Sequence, residues 1–233
     1  MKRRCVQFGS TIISDLPLTL MILLLTVVSG NATPQSADPL DKICSGVNNT
    51  YQCAQAIERS QLRKPGLASV VMRTRNGVRV KLRNGRWLTI NDVEKKGDEA
   101  SVVKYNFRDY SREIGYFLLH RQYYEGDDYL LIQDTTGQKS EVQDVPVLSP
   151  DKSRFVTASN GISGGYNANG VQIWRLTKDG AVLEQSFDVK GWAPSDPVWT
   201  NNQEIRLVRT FPGSHKHENF VIRFNQQRWE MGQ

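Results

Sequence analysis

The pattern that most directly suggests chemistry is a serine between glycines, Gly161-Ile162-Ser163-Gly164-Gly165, which fits G-x-S-x-G. In that pattern the serine is a nucleophile because it lies on a tight turn between a strand and a helix. Acidic residues and then His215 or His217 follow in chain order, as a catalytic triad would require. The chain, however, continues as Gly-Tyr-Asn-Ala-Asn-Gly, which is typical of a loop. We therefore predict no catalytic residue here.

Two further groups carry side chains that can ligate metals. His215-Lys216-His217 places two imidazoles on one side of an extended segment, but a metal needs a third ligand, and His120 is the only other histidine. The acidic turn around Gly126 lacks the twelve-residue pattern of a calcium loop. The sequence also has no phosphate-binding loop or dinucleotide fingerprint. We predict no metal site and no cofactor, and we favour a non-enzymatic protein.

The loop of residues 160–170 (NGISGGYNANG) is the most unusual local feature. It contains four glycines and three asparagines around one tyrosine. Such a loop can present backbone amides and an aromatic ring to a ligand, although it can also be a long connection between strands. The candidate ligand residues are Tyr166, Asn167 and Asn169. The aromatic residues that would extend them into a carbohydrate- or peptide-binding surface are Tyr123, Tyr124, Trp192 and Trp199.

The N-terminus has the features of an export signal. Lys2, Arg3 and Arg4 precede an uncharged apolar run of 13 residues, 16–28, which small residues follow. Because a membrane-spanning helix needs about 20 apolar residues, we predict that residues 1–30 are a cleaved signal peptide. The mature protein would then have no membrane span and would be periplasmic or secreted. An uncleaved signal anchor is the alternative.

The cysteines agree with export. Removal of the signal takes Cys5 away and leaves Cys44 and Cys53, a pair that forms a disulfide in an oxidising compartment. We predict that this bridge pins a helical segment, residues 42–67, and that residues 31–41 before it form a flexible leader.

The helix itself is delimited by its end signals. Asn49 or Thr50 can cap its start, and Pro65-Gly66 stops it. Between these signals, three residues recur at helical spacing: Tyr51, Ala54 and Ile57.

Positive charge is concentrated after this helix. Residues 62–96 contain ten Lys or Arg and two acids, a net charge of +8, whereas residues 97–233 have a net charge of −3. Basic residues alternate with apolar ones here and should share one face of a strand. A solvated strand face is the simplest interpretation; the alternative is a docking surface for an anionic partner. The candidate residues are Arg73, Arg75, Arg79, Lys81, Arg83 and Arg86.

The partner of such a surface would be an anionic lipid, an acidic glycan or an envelope protein. Nucleic acid is not expected, because export removes the opportunity and Trp87 is the only aromatic residue in the basic segment.

From residue 68 onward the pattern is that of strands. Asn76-Gly77 and Asn84-Gly85 separate apolar runs, and because Asn-Gly favours tight hairpins, residues 68–92 should form a three-stranded meander. The later strands expected are Val102–Phe107, Ile114–Tyr123, Tyr129–Gln133, Arg154–Ser159, Val171–Leu176, Val182–Phe187, Ile205–Thr210 and Phe220–Phe224.

A weak internal repeat points to the arrangement of these strands. Residues 129–137 and 171–180 each comprise a strand and a polar turn with glycine, and each leads to a proline, Pro146 or Pro197. The spacing of about 42–51 residues is the period of a four-stranded propeller blade. Residues 68–233 would supply about four blades, near the lower limit for closure.

Residues 147–176 resemble blades of WD40-like and TolB-like β-propellers, with fainter similarity over residues 129–200. The resemblance rests on Ser149-Pro150-Asp151, Thr157-Ala158-Ser159 and Ile173-Trp174. The chain has no Gly-His or Trp-Asp signature. The resemblance implies a blade-like, strand-only domain.

Together these observations predict an all-β, mainly antiparallel fold: a small or incomplete β-propeller-like or meander domain, residues 68–233, with one short N-terminal helix. The predicted function is that of an exported non-enzymatic binding protein of the cell envelope, which docks an anionic partner through the basic meander. A small envelope hydrolase and an inhibitor or immunity-type protein are the alternatives.

Overall fold

The part of the chain that the computed structural model describes comprises residues 40–47, 49–95, 97–162, 164–214 and 216–232. The predicted signal peptide and nearly all of the predicted leader lie outside these ranges. Within them, no helix is long and apolar enough to cross a membrane.

The predicted disulfide joins the first two helical elements. Cys44 ends a 3-10 helix (Asp41–Cys44), and Cys53 lies in the first turn of helix α1 (Thr50–Leu62). Their Cα atoms are 5.1 Å apart across the S–S bond, which confirms the pairing.

The start of α1 is set by a local hydrogen bond. Asn49 has an extended backbone, and its Oδ1 accepts the backbone amide of Gln52 at 3.1 Å, as an N-cap should. Ala54 and Ile57 are buried, so the helix packs on its apolar side. A second 3-10 helix (Leu67–Ser69) follows the helix end and leads into the first strand.

The strands form four antiparallel meanders in chain order. Sheet I consists of β1 (Val71–Thr74), β2 (Gly77–Lys81) and β3 (Trp87–Asn91). Sheet II consists of β4 (Val93–Lys95), β5 (Asp98–Ser111), β6 (Tyr116–Gln122), β7 (Asp127–Gln133) and β8 (Lys139–Val142).

The last two sheets have four strands each. Sheet III consists of β9 (Val147–Leu148), β10 (Arg154–Ser159), β11 (Gly170–Thr177) and β12 (Gly180–Asp188). Sheet IV consists of β13 (Ala193–Asn201), β14 (Glu204–Thr210), β15 (His217–Phe224) and β16 (Trp229–Met231). The predicted antiparallel β fold is confirmed.

The sheets stack face to face in the order I, II, III, IV, with a buried apolar layer at each junction. Strand β6 shows how one strand serves two layers, since Phe117 and Leu119 face sheet I while Tyr116 and Leu118 face sheet III. Burial of each such side chain contributes about 1.5–3 kcal/mol. Alternation along a strand therefore holds three successive sheets together.

Sheets III and IV are joined by hydrogen bonds between their first strands. Trp199 of β13 donates from Nε1 to the carbonyl of Val147 in β9 at 2.9 Å. The turns that follow these first strands also touch, because the amide of Asp151 donates to Oδ1 of Asn202 at 3.2 Å. Four successive antiparallel meanders fit an incomplete propeller-like domain.

Candidate functional site

The predicted basic surface is divided in the structure, and Arg73 is not part of its solvent face. Along β1, residue 73 alternates with Met72 and lies on the same side as buried Val71. Its Nε donates to Oε1 of Glu58 at 2.6 Å. Arg73 therefore pairs with a buried carboxylate of α1, on the opposite side of the sheet from Arg79.

Arg83 is engaged in the same way. Strand β2 ends at Lys81, so the alternation predicted to place Arg83 beside Arg79 stops before it. Its Nε lies 2.9 Å from the carboxylate of Asp134, which is fully buried and also accepts the hydroxyl of Tyr110 at 2.9 Å. The hydrogen bond with Asp134 and its charge raise the pKa of Arg83.

The outer face of sheet I retains two of the predicted cations. Across the strands, Arg79 lies between Met72 and Thr89, and Lys81 lies opposite Trp87. The guanidinium of Arg79 is 5.3 Å from the centroid of the Trp87 ring, a cation–π contact. We call this surface the basic face; its residues are Met72, Arg79, Lys81, Trp87 and Thr89.

The basic face has no acidic residue to compensate it locally. Residues 59–91 contain nine Lys or Arg and no Asp or Glu. Neither Arg79 nor Lys81 forms an ion pair with a described residue. Met72 is 45% exposed, so the same face also offers an apolar side chain to solvent.

The remaining two predicted residues lie in turns. Arg75 is exposed in the turn between β1 and β2 and lines a cavity beside α1. Arg86 is exposed in the turn between β2 and β3, near Gly137. They flank the basic face at its two ends.

In the glycine-rich loop, the two candidate asparagines have structural roles. Asn167 accepts the amide of Asp127 at 2.9 Å and donates to its Oδ1 at 2.7 Å. Asn169 donates to the carbonyls of Val189 and Trp192. The loop is thereby fixed between sheets II and III, and Tyr166, at 62% exposure, is the candidate residue of the loop that faces solvent.

Asp127 is the centre of a small polar network. His120 Nε2 lies 2.6 Å from its Oδ2, and the His120 ring stacks on Tyr129 with centroids 4.8 Å apart. Burial tends to raise the pKa of Asp127, but the hydrogen bonds from His120 and Asn167 outweigh it, and the pKa is lowered. The carboxylate is therefore held ionised as a structural anchor.

Three exposed tyrosines surround a cavity of about 650 Å³ between the start of α1 and the turn after β6. They are Tyr51, Tyr123 and Tyr124. Two of them belong to the aromatic extension that the sequence suggested. The other predicted members pack in the core instead: Trp199 lies between sheets III and IV, and Trp192 packs on Phe220. We call this space the aromatic cavity.

A second cavity, of about 300 Å³, adjoins the first and shares Tyr51 and Lys104 with it. Its wall includes Arg59 and Arg75, both exposed and without an ion pair to a described residue. We call it the cationic cavity, and the two together the groove.

The serine motif has no catalytic setting in the described residues. Gly161 and Gly165 lie in the loop between β10 and β11, and the chain then enters a strand, not a helix. Ser163 and His215 lie outside the described residues. The described part of the chain also contains no cluster of His, Cys, Asp or Glu that could hold a metal.

Sequence reasoning missed three residues of the groove: Tyr51, Arg59 and Lys104. Tyr51 was noted only for its helical spacing with Ala54 and Ile57, and it is 39% exposed. Its position in the first turn, two residues after the cap, is what sets it apart from those two buried residues. No pattern in the sequence distinguishes Arg59 and Lys104 from the other basic residues.

Comparisons with known proteins give no relative: no family model matches the chain, and no curated protein matches it. The resemblance of residues 129–200 to propeller blades thus stays a prediction about family. A function has to be inferred from the basic face and the groove.

Proposed function

We propose that this protein is an exported, non-enzymatic binding protein of the cell envelope, and that its basic face docks on an anionic membrane surface. The observation that carries the proposal is that Arg79 and Lys81 form no ion pair with a described residue and share the outer face of sheet I with an exposed Met72.

The composition of this face suits a lipid surface. Anionic headgroups attract each nearby Lys or Arg by about 1 kcal/mol. Trp87 lies beneath Arg79 on the same face, and tryptophan favours the boundary between headgroups and acyl chains. Strand pairing brings these groups to one side of a three-stranded sheet, whereas a small soluble ligand would need a concave site.

Other features support the compartment and the binding role. The disulfide between Cys44 and Cys53 is suited to an oxidising environment outside the cytosol. The buried carboxylate of Asp134 is paired with the half-exposed Arg83, and this pair belongs to the fold and not to a reactive site. A protein that only binds its partner needs no catalytic side chain.

Sedimentation with vesicles tests the proposal. The purified oxidised protein should bind vesicles of phosphatidylcholine that contain about 30 mol% phosphatidylglycerol. Binding should fall steeply as the salt concentration rises. The double variant Arg79→Gln/Lys81→Gln should lower the partition coefficient roughly thirtyfold.

A matched control removes the same charge elsewhere. Lys190 is exposed in the loop after β12 and Arg206 is exposed on β14, so neither belongs to sheet I, and Lys190→Gln/Arg206→Gln should lower binding much less. Equal binding to neutral phosphatidylcholine vesicles, or equal losses in the two double variants, would contradict docking through the basic face.

A further inference from the structure

We infer that the groove beside α1 is a separate binding site for an acidic oligosaccharide, with sugar rings against the tyrosines and an acidic group at the cationic cavity. This site goes beyond the proposed membrane docking and uses none of the basic face residues.

In the aromatic cavity, the ring of Tyr123 is held in one orientation by its neighbours. Tyr123 donates its hydroxyl to Oδ2 of Asp128 at 3.1 Å, and the guanidinium of Arg121 lies 5.3 Å from its ring centroid. Burial and the charge of Asp128 raise the pKa of Tyr123, so the hydroxyl keeps its proton. The ring is therefore held in place before any ligand arrives, which lowers the entropic cost of binding.

The other two rings are also exposed to solvent. Tyr124 is 63% exposed and Tyr51 is 39% exposed, and both line the aromatic cavity. The C–H face of a pyranose is apolar and packs on such rings, while its hydroxyls reach polar side chains at the rim. The polar lining includes Asn49, Thr50, Gln122 and Lys104.

The cationic cavity determines the charge of the ligand. Two of its cations are already engaged, since Arg73 pairs with Glu58 and Lys104 with Asp92 at 3.4 Å. Arg59 and Arg75 remain, and they are complementary to a carboxylate, sulfate or phosphate group. Because Tyr51 lines both cavities, one ligand of several sugar units can touch the aromatic and the cationic parts.

The openness of the groove favours an oligosaccharide over a small apolar molecule. The cavities lie on the surface between an exposed helix start and a turn, and their exposed rings carry hydroxyls. A small apolar ligand prefers an enclosed apolar site.

Calorimetric titration with tetragalacturonate, and with cellotetraose as a neutral tetrasaccharide, tests the site. We expect tetragalacturonate to bind and cellotetraose to bind at least about tenfold more weakly. Arg59→Gln/Arg75→Gln should remove that preference, and Tyr124→Ala should weaken both sugars about tenfold. Tyr51→Phe, which keeps the ring, should bind nearly as well as the parent, whereas Tyr51→Ala should not.

The charge-matched Lys190→Gln/Arg206→Gln protein should keep its affinity for tetragalacturonate. No binding of either sugar at millimolar concentration, or unchanged affinity in the tyrosine variants, would overturn the groove site and leave membrane docking untouched. Loss of sugar binding in Arg79→Gln/Lys81→Gln instead would assign the sugar to the basic face and overturn the groove. Loss of vesicle binding with intact sugar binding is expected for that variant, so the two proposals fail separately.

Discussion

Glu58 Oε1 accepts a hydrogen bond from Arg73 Nε at 2.6 Å, which ties helix α1 to the first strand of sheet I. The other carboxylate oxygen accepts the backbone amide of Phe107 in β5, also at 2.6 Å. Glu58 is 6% exposed, so its charge is compensated inside the protein. One carboxylate thus joins the helix, sheet I and sheet II.

The first prediction concerns this junction. Glu58→Gln should lower the free energy of unfolding by about 3 kcal/mol, because it leaves the charge of Arg73 without its buried partner. Glu230→Gln is the control, since Glu230 pairs with Arg228 at the surface and should cost less than about 1 kcal/mol. Urea unfolding measures both; equal costs would show that Glu58 acts as an ordinary surface charge.

The second prediction concerns the disulfide. Cys44 and Cys53 are nine positions apart, so the closed loop is short and the bridge should stabilise by about 2–3 kcal/mol. Cys44→Ser/Cys53→Ser should unfold at correspondingly lower urea concentration. Reductant should shift the parent to the same midpoint and leave the double variant unchanged. A parent protein that does not respond to reductant would count against a stabilising bridge.

Much of the fold follows from local patterns. Strand β10 has the predicted bounds, Arg154–Ser159, because alternation and flanking turns define it. Strand β13 (Ala193–Asn201) was not predicted, since it contains Pro194 and Pro197. Prolines are tolerated there because β13 is an edge strand of sheet IV, where one side needs no ladder hydrogen bonds. Edge position depends on the assembled sheet, which local sequence does not encode.

The candidate sites were less predictable for the same physical reason. The sequence placed Arg79 and Lys81 on one face correctly, because the alternation of residues along a strand depends only on neighbouring positions. The carboxylates that engage the other cations are remote in sequence: Glu58 is 15 residues from Arg73, and Asp134 is 51 residues from Arg83. The groove likewise brings Tyr51 to the turn after β6 by packing of α1 on sheet II. Charge content was visible in the sequence, but charge pairing was not.

The third prediction compares the two Asn-Gly turns of sheet I. Gly77 has φ +146°, and a Cβ there would lie 2.1 Å from the carbonyl oxygen of Ile90. Gly85 has φ +85° with open space around it. Gly85→Ala should therefore cost about 1–2 kcal/mol from backbone strain alone, whereas Gly77→Ala should cost about 3 kcal/mol or more because β3 must also move. Thermal or urea unfolding of the two variants checks the order; a reversed order would contradict the close approach of β2 and β3.

The fourth prediction concerns acid stability. The pKa of Asp127 is lower in the folded protein, because hydrogen bonds from His120 and Asn167 outweigh the effect of burial. The unfolded chain therefore takes up a proton first as the pH falls, so the contribution of Asp127 is present above about pH 4 and is lost below it. The stability difference between the parent and Asp127→Asn should shrink between pH 7 and pH 3 (about the range of the carboxyl titration). Asp179→Asn, in the exposed turn before β12, is the control and should leave the pH profile of the parent unchanged. Urea unfolding at several pH values gives the differences, and a constant gap between parent and Asp127→Asn would mean that the network does not stabilise the charged carboxylate.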